Sequence, residues 1–164
     1  MIEFTVFGKP AASGIRPVPI RAAGGVVIGQ RLADGRNAEQ AKRIRSWKSE
    51  VAQTAAEHFR GELLDGPLEL ELTFYSVRPA GHSGTGRNAG KLKDSAPEFP
   101  ITRPDALKMA RLVEDALQGV IYRDDSQIVD EHLYKRYGEP ARCVIRVKEL
   151  RPVVSPGAAL RVVA

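Results

Sequence analysis

Hydrophobic residues recur along this chain with two different periods, and the switch between them separates strands from helices. Strict alternation marks residues 2–7 and, more strongly, residues 68–75, where Leu68, Leu70, Leu72 and Phe74 alternate with Glu69, Glu71, Thr73 and Tyr75. One face of each strand is expected to be buried. A spacing of three and four takes over at 38–59, with Ile44, Trp47, Val51, Ala55 and Phe59 on one stripe. It returns in "TRPDALKMARLVEDALQ" at 102–118, where Ala106, Met109, Ala110, Val113, Ala116 and Leu117 share a face. Further on come a short extended piece around "GVIYRDD" and a less regular strand near 128–136. A clear strand follows at 142–148, in which Cys143, Ile145 and Val147 alternate with basic residues.

The connections are uneven. Residues 9–37 are rich in Gly, Pro and Arg, and "GGVVIGQRL" reads as a short hairpin. Residues 78–101 form a long loop, of the length that in compact domains belongs to functional or mobile segments. The order β-α-β-α-β-β predicts an α+β domain, with two main helices packed on a mixed or mostly antiparallel sheet. Residues 1–150 are expected to form a single domain, with 151–164 as a C-terminal tail.

Leu107 breaks the helical pattern. The face opposite the core stripe carries Lys108, Arg111, Glu114 and Asp115, yet Leu107 projects there too, nearly two turns before Glu114. Nearby stand the residues that could carry chemistry. Asp105 opens the helix, and the turn "YRDDSQ" supplies Asp124 and Asp125. Carboxylates on rigid elements hold Mg²⁺, which polarises a phosphodiester and activates water. The same spacing also fits structural duty. Thr102-Arg103-Pro104-Asp105 matches a capping box, and Asp124 and Asp125 suit a turn that bonds its own backbone.

The net charge of +5 over 164 residues is modest, but its distribution changes the picture. Lys9, Arg16, Arg21, Arg31 and Arg36 punctuate the first loop. Lys42, Arg43, Arg45 and Lys48 line the first helix, and Arg78, Arg87, Lys91 and Lys93 occupy the long loop. Such cations grip a phosphate backbone without reading sequence, or simply solvate a surface. With few aromatics among them, backbone or shape recognition is expected rather than a stacking platform. One cysteine excludes an intramolecular disulfide and a Cys-based zinc site. No secretory signal or membrane-spanning run is read, so a cytoplasmic protein is expected. "GTGRNAG" lacks the strand-to-helix context of a dinucleotide fingerprint. His58, His82 and His132 show no metal-ligand spacing, and only His82 is a candidate for substrate contact.

The stretch "RPDALKMARLVEDALQGVIYRDDSQIVD" resembles the RusA-type Holliday junction resolvases, whose pattern runs Lys/Arg-Pro-Asp-x-Asp through Asp-Ala-Leu-x-Gly to Asp-Asp-Ala/Ser-Gln. The resemblance is clear over residues 103–148. It implies homodimeric Mg²⁺-dependent endonucleases, with Mn²⁺ as a substitute ion, that nick branched double-stranded DNA in symmetrically related strands. It puts Asp105 and Asp125 on metal-binding aspartates and Arg111 on a basic catalytic residue that is usually lysine. The second aspartate falls on Leu107, which cannot ligate a metal. Either the site is weakened, leaving a junction-binding protein, or a carboxylate comes from elsewhere. Glu114 is the substitute expected here, because helical side chains lean back toward the N-terminus, with Asp124 as a further ligand. A surface ion pair between Glu114 and Arg111 competes with that assignment. Asp115 is expected to orient Arg111. Lys9, Arg16, Arg21, Arg87, Lys91, Lys93, Lys108 and Lys135 are the expected DNA contacts.

Overall fold

In a computed structural model the alternating segments become one sheet with two helices on a single face. The structure describes residues 1–14, 16–33, 35 and 37–150, with Arg16, Arg31 and Leu32 followed along the backbone alone. The tail expected at 151–164 lies outside the described residues, as does Arg36. Strands β1 (Ile2–Phe7), β4 (Leu68–Ser76), β5 (Ile128–Tyr137) and β6 (Arg142–Glu149) pair in the order β1-β6-β4-β5. β6 runs antiparallel to both β1 and β4, whereas β4 and β5 are parallel. A parallel neighbour demands a crossover. The long loop and helix α2 (Ala106–Leu117) provide it, and helix α1 (Ala38–His58) lies beside α2.

The core is the interface between this sheet and the helices. Phe4, Val6, Leu70, Leu72, Phe74, Cys143, Ile145 and Val147 point to the helix side and are buried against Ile44, Trp47, Val51, Met109, Leu112 and Val113. Leu112 and Tyr122 join the core although the helical stripe and the extended piece did not single them out. The opposite face of the sheet is a ladder of charges. Arg146 bridges Glu3 and Glu71, and Lys148 reaches Glu69 at 3.0 Å. Cross-strand neighbours of opposite sign are the ordinary way to solvate an uncovered sheet face.

Two expectations about the connections change. The hairpin is longer than "GGVVIGQRL": β2 (Arg16–Arg21) pairs antiparallel with β3 (Val27–Ala33), and Gly24 and Gly25 form the turn at φ +86° and +82°. Two consecutive positive φ values need glycine, so this pair fixes the reversal. The element order therefore gains two strands before α1. The long loop is also more built than its composition suggests. Short 3₁₀ turns form at Ala80–His82 and Gly86–Asn88, and Lys93 braces the first, its Nζ donating to the Gly81 carbonyl at 2.8 Å. Arg78 donates to the Pro97 carbonyl at 2.8 Å and stacks over Tyr137. The "GTGRNAG" stretch opens no α-helix, as its lack of context required.

Candidate active site

Asp105 occupies the N-cap position of α2 by backbone conformation, but its side chain accepts no capping hydrogen bond. The capping box anticipated from Thr102 to Asp105 does not form. Its carboxylate meets Lys108 one turn along, at 3.0 Å, and that bond, with Arg103 and Lys135 nearby, holds it below the usual carboxylate range. Lys135 is itself engaged, donating from Nζ to the Thr102 carbonyl at 2.6 Å. Asp105 is thus an ionised group among cations.

The two aspartates of the later turn divide the work. Asp124 caps the 3₁₀ turn Asp125–Gln127, accepting from the Ser126 N–H at 2.9 Å, and this keeps it ionised. Gln127 closes the box from the other side, accepting from the Asp124 N–H at 3.0 Å and donating to the carbonyls of Leu64 and Gly66. The turn residue reading therefore holds for Asp124. Asp125, released from capping, contributes its charge to Glu114.

Glu114 is the perturbed group of the region. Burial pushes its carboxyl up to about 7, aided by a hydrogen bond with Glu131 and by the fields of Glu131, Asp125 and Asp115. Glu131 lies on β5 in register with the buried Leu70, which turns it to the helix side. Because β5 is an edge strand, that position opens onto a cleft rather than the core. The cleft is lined by Ser13, Leu107, Lys108, Arg111, Glu114 and Glu131. Leu107, 70 % exposed, and Glu114 indeed share one lip of it. A neighbouring hollow, lined by Ser13, Gly14, Gln40, Arg103, Asp105 and Lys108, continues it toward the start of α2.

Two of the expected pairings are absent. Asp115 does not orient Arg111; it bridges to Lys48 on α1 at 3.1 Å, because α1 packs along that side of α2. Neither does Glu114 pair with Arg111, whose exposed guanidinium makes no ion pair among the described residues. Asp105 and Glu114 are nine residues apart, about 13 Å of helix rise. Among the described residues no three His, Cys, Asp or Glu side chains converge closely enough to hold a metal ion. Asp105 thus lines the hollow at one end, while Glu114 and Glu131 line the cleft at the other, within the field of Asp125. Of the remaining expected contacts, Lys9, Arg87 and Lys91 are exposed, Lys93 braces its own loop, and Arg21 donates to the Gly25 carbonyl at 2.8 Å. The Arg16 side chain lies outside the described residues. His82 packs edge-on to Tyr137, away from this cleft.

A family model described as "Endodeoxyribonuclease RusA" matches residues 29–148. The chain belongs to the RusA endodeoxyribonuclease family. RusA-family membership implies action on Holliday junctions, and RusA nucleases generally depend on a divalent metal. "Uncharacterized protein YqaN" of Bacillus subtilis (strain 168) is 30% identical over 152 residues, covering 91% of this chain and 96% of that one. No helix among the described residues is long and apolar enough to cross a membrane. Glu131 was missed by sequence reasoning, although a signal existed: it has the same strand parity as Leu133, on the side facing the helices.

Proposed function

We propose that the protein is a Mg²⁺-dependent endonuclease, with Mn²⁺ as a substitute, that resolves four-way junctions by paired symmetric nicks as a homodimer. The observation that carries this reading is the Glu114 and Glu131 carboxyl pair in the cleft of a RusA-family chain. A half-buried carboxyl and an exposed one lining the same cleft repel once both are ionised, and a hard cation relieves the repulsion. Carboxylate oxygens are the donors that the family's divalent metal takes, and this pair would supply part of its shell. Glu114 and Glu131 would hold it, with Asp125 and Asp105 adding negative charge from outside that pair; Asp105 is kept ionised by Lys108 and is the carboxylate that the family resemblance puts first in the site. A bound divalent ion polarises a phosphodiester and makes its water a better nucleophile.

The rest of the work falls to side chains. Arg111, exposed and without an acidic partner among the described residues, offers its fork to the phosphate oxygens as charge builds on them. As an arginine it clamps and does not serve as a base. Asp124 and Gln127 hold the turn that presents Asp125. Lys9, Arg21, Arg87, Lys91 and Lys108 supply phosphate contacts along the DNA arms. A synthetic four-way junction incubated with Mg²⁺ or Mn²⁺ tests the reading. Symmetric nicks are expected, lost in Asp125→Asn and Glu114→Gln with junction binding retained.

A second reading, a junction-binding protein with little catalysis, is favoured by Leu107 and by the distance of Asp105 from the other acids. Binding without cutting under either metal would establish it instead.

A further inference from the structure

The β2–β3 arm carries its apolar side chains into solvent. Val26, Val27 and Ile28 are 64%, 50% and 66% exposed, and Ile20, paired with Gly29 beside them, is 41% exposed. The root of the arm is pinned, in contrast. The Ser13 N–H donates to the Lys108 carbonyl at 2.7 Å, which ties the entry to the first turn of α2. Gly14 and Gly35 approach so closely that a methyl on Gly14 would lie 3.7 Å from the Gly35 Cα. Gly35, at φ +77°, is pressed on α1, where a methyl would meet the Ala41 nitrogen at 2.8 Å. A ribbon of this length reaches about 20 Å from such a root. That root lines the hollow that continues the candidate active site.

Charge and edge chemistry decide what the tip meets. Residues 16–33 contain three arginines and no carboxylate, so the arm suits a polyanion. Pro17 and Pro19 lack N–H groups, and β2 still pairs with β3 along its length, so the missing donors fall on its outer edge. Such an edge is blunted against adding a strand from a second copy.

We propose that the β2–β3 arm is a wedge whose valine and isoleucine tip enters the open centre of branched DNA, while its arginines hold the flanking phosphates. This rests on the junction-endonuclease reading and adds the element that separates a junction from a linear duplex. Apolar side chains inserted between base steps unstack them, and bases at a branch point are already partly unstacked, so the insertion favours the branch. The tip sits at the end of an arm rooted beside the catalytic cleft, which directs the cut to the strands nearest the branch.

The test uses the full chain in EDTA, a four-way junction carrying 2-aminopurine at the branch point, and a linear duplex of the same arm sequence. Wild type is expected to raise the fluorescence on binding. Combined Val26→Ser, Val27→Ser and Ile28→Ser, with circular dichroism confirming the fold, should abolish that rise and weaken junction binding about tenfold, with duplex binding within about twofold. Arg21→Ala should weaken both DNAs alike and flatten their salt dependence. A triple-serine variant that keeps the signal and the junction preference overturns the wedge. So does one that keeps the signal but converts a DNA-free dimer to monomers in sedimentation, since the tip would then join two copies. If wild type neither binds nor cuts the junction, the endonuclease reading fails first; if it cuts and the variant matches it, only the wedge fails.

Discussion

The carboxyl groups of Glu114 on α2 and Glu131 on β5 line the same cleft, and burial, with Glu131 beside it, raises the Glu114 carboxyl from 4.5 to about 7. Between those two pH values the folded protein keeps a proton that the unfolded chain has released. Stability of the metal-free protein should therefore fall as pH rises from 4.5 through 7 and level off above. Glu131→Gln should make that profile shallower, burial keeping the remainder. Thermal melts in EDTA from pH 4.5 to 8.5 measure it, and an identical slope in the variant would detach the shift from Glu131.

Among the described residues Arg111 has no acidic partner to leave when a phosphate arrives. Arg111→Ala should lower junction cleavage by about 10²–10³-fold, the usual loss for one oxyanion donor, with little change in stability. Arg111→Lys should recover part of the rate. Single-turnover cleavage separates these, and wild-type rates in Arg111→Ala would remove the residue from the chemistry.

Leu107 is exposed on the lip of the cleft, so its replacement disturbs no core. Leu107→Asp is expected to leave the melting temperature nearly unchanged and cleavage within about threefold, surface changes being worth about 0.5 kcal/mol or less. A large gain in cleavage would mean that the leucine had weakened the metal site and that Glu114 does not replace the missing acid.

The ion pair between Lys48 and Asp115 joins the two helices at a partly exposed position. A double-mutant cycle on the pair should give about 0.2–1 kcal/mol. Asp115→Asn should leave cleavage intact, because this carboxylate faces α1 rather than Arg111.

Gly35 is where the arm returns to the body. A side chain there meets backbone at 2.8 Å and must hold φ at +77°, so Gly35→Ala should cost about 1–3 kcal/mol from conformation alone. Denaturant unfolding checks the size of the loss, and a neutral result would show that the root yields easily.

The sequence made the fold legible where one face of an element is buried. Leu68 to Phe74, Ile44 to Ala55 and Cys143 to Val147 alternate or repeat because each faces the same core. The hairpin was legible only at its turn, since Gly24 and Gly25 carry the conformational signal. Its first strand, "RPVPIR", has two prolines and no buried face to impose a pattern. At the candidate site, periodicity put Leu107 and Glu114 on one stripe, and their shared cleft bears that out. Periodicity could not say which strand would lie opposite. The partner Glu131 depends on the parallel pairing of β4 with β5, a long-range contact with no local signature. For the same reason Asp115 was assigned to Arg111 in its own helix when Lys48 of α1 is its partner.

Manganese binding, followed by the loss of the free-ion electron paramagnetic resonance signal at pH 7.5, tests the acidic cleft most directly. Wild type should take up Mn²⁺, and Glu114→Gln and Glu131→Gln should each weaken binding at least about tenfold, in line with the loss of one ligand from a carboxylate site. Unchanged Mn²⁺ affinity in both variants would contradict the assignment of the cation to this pair.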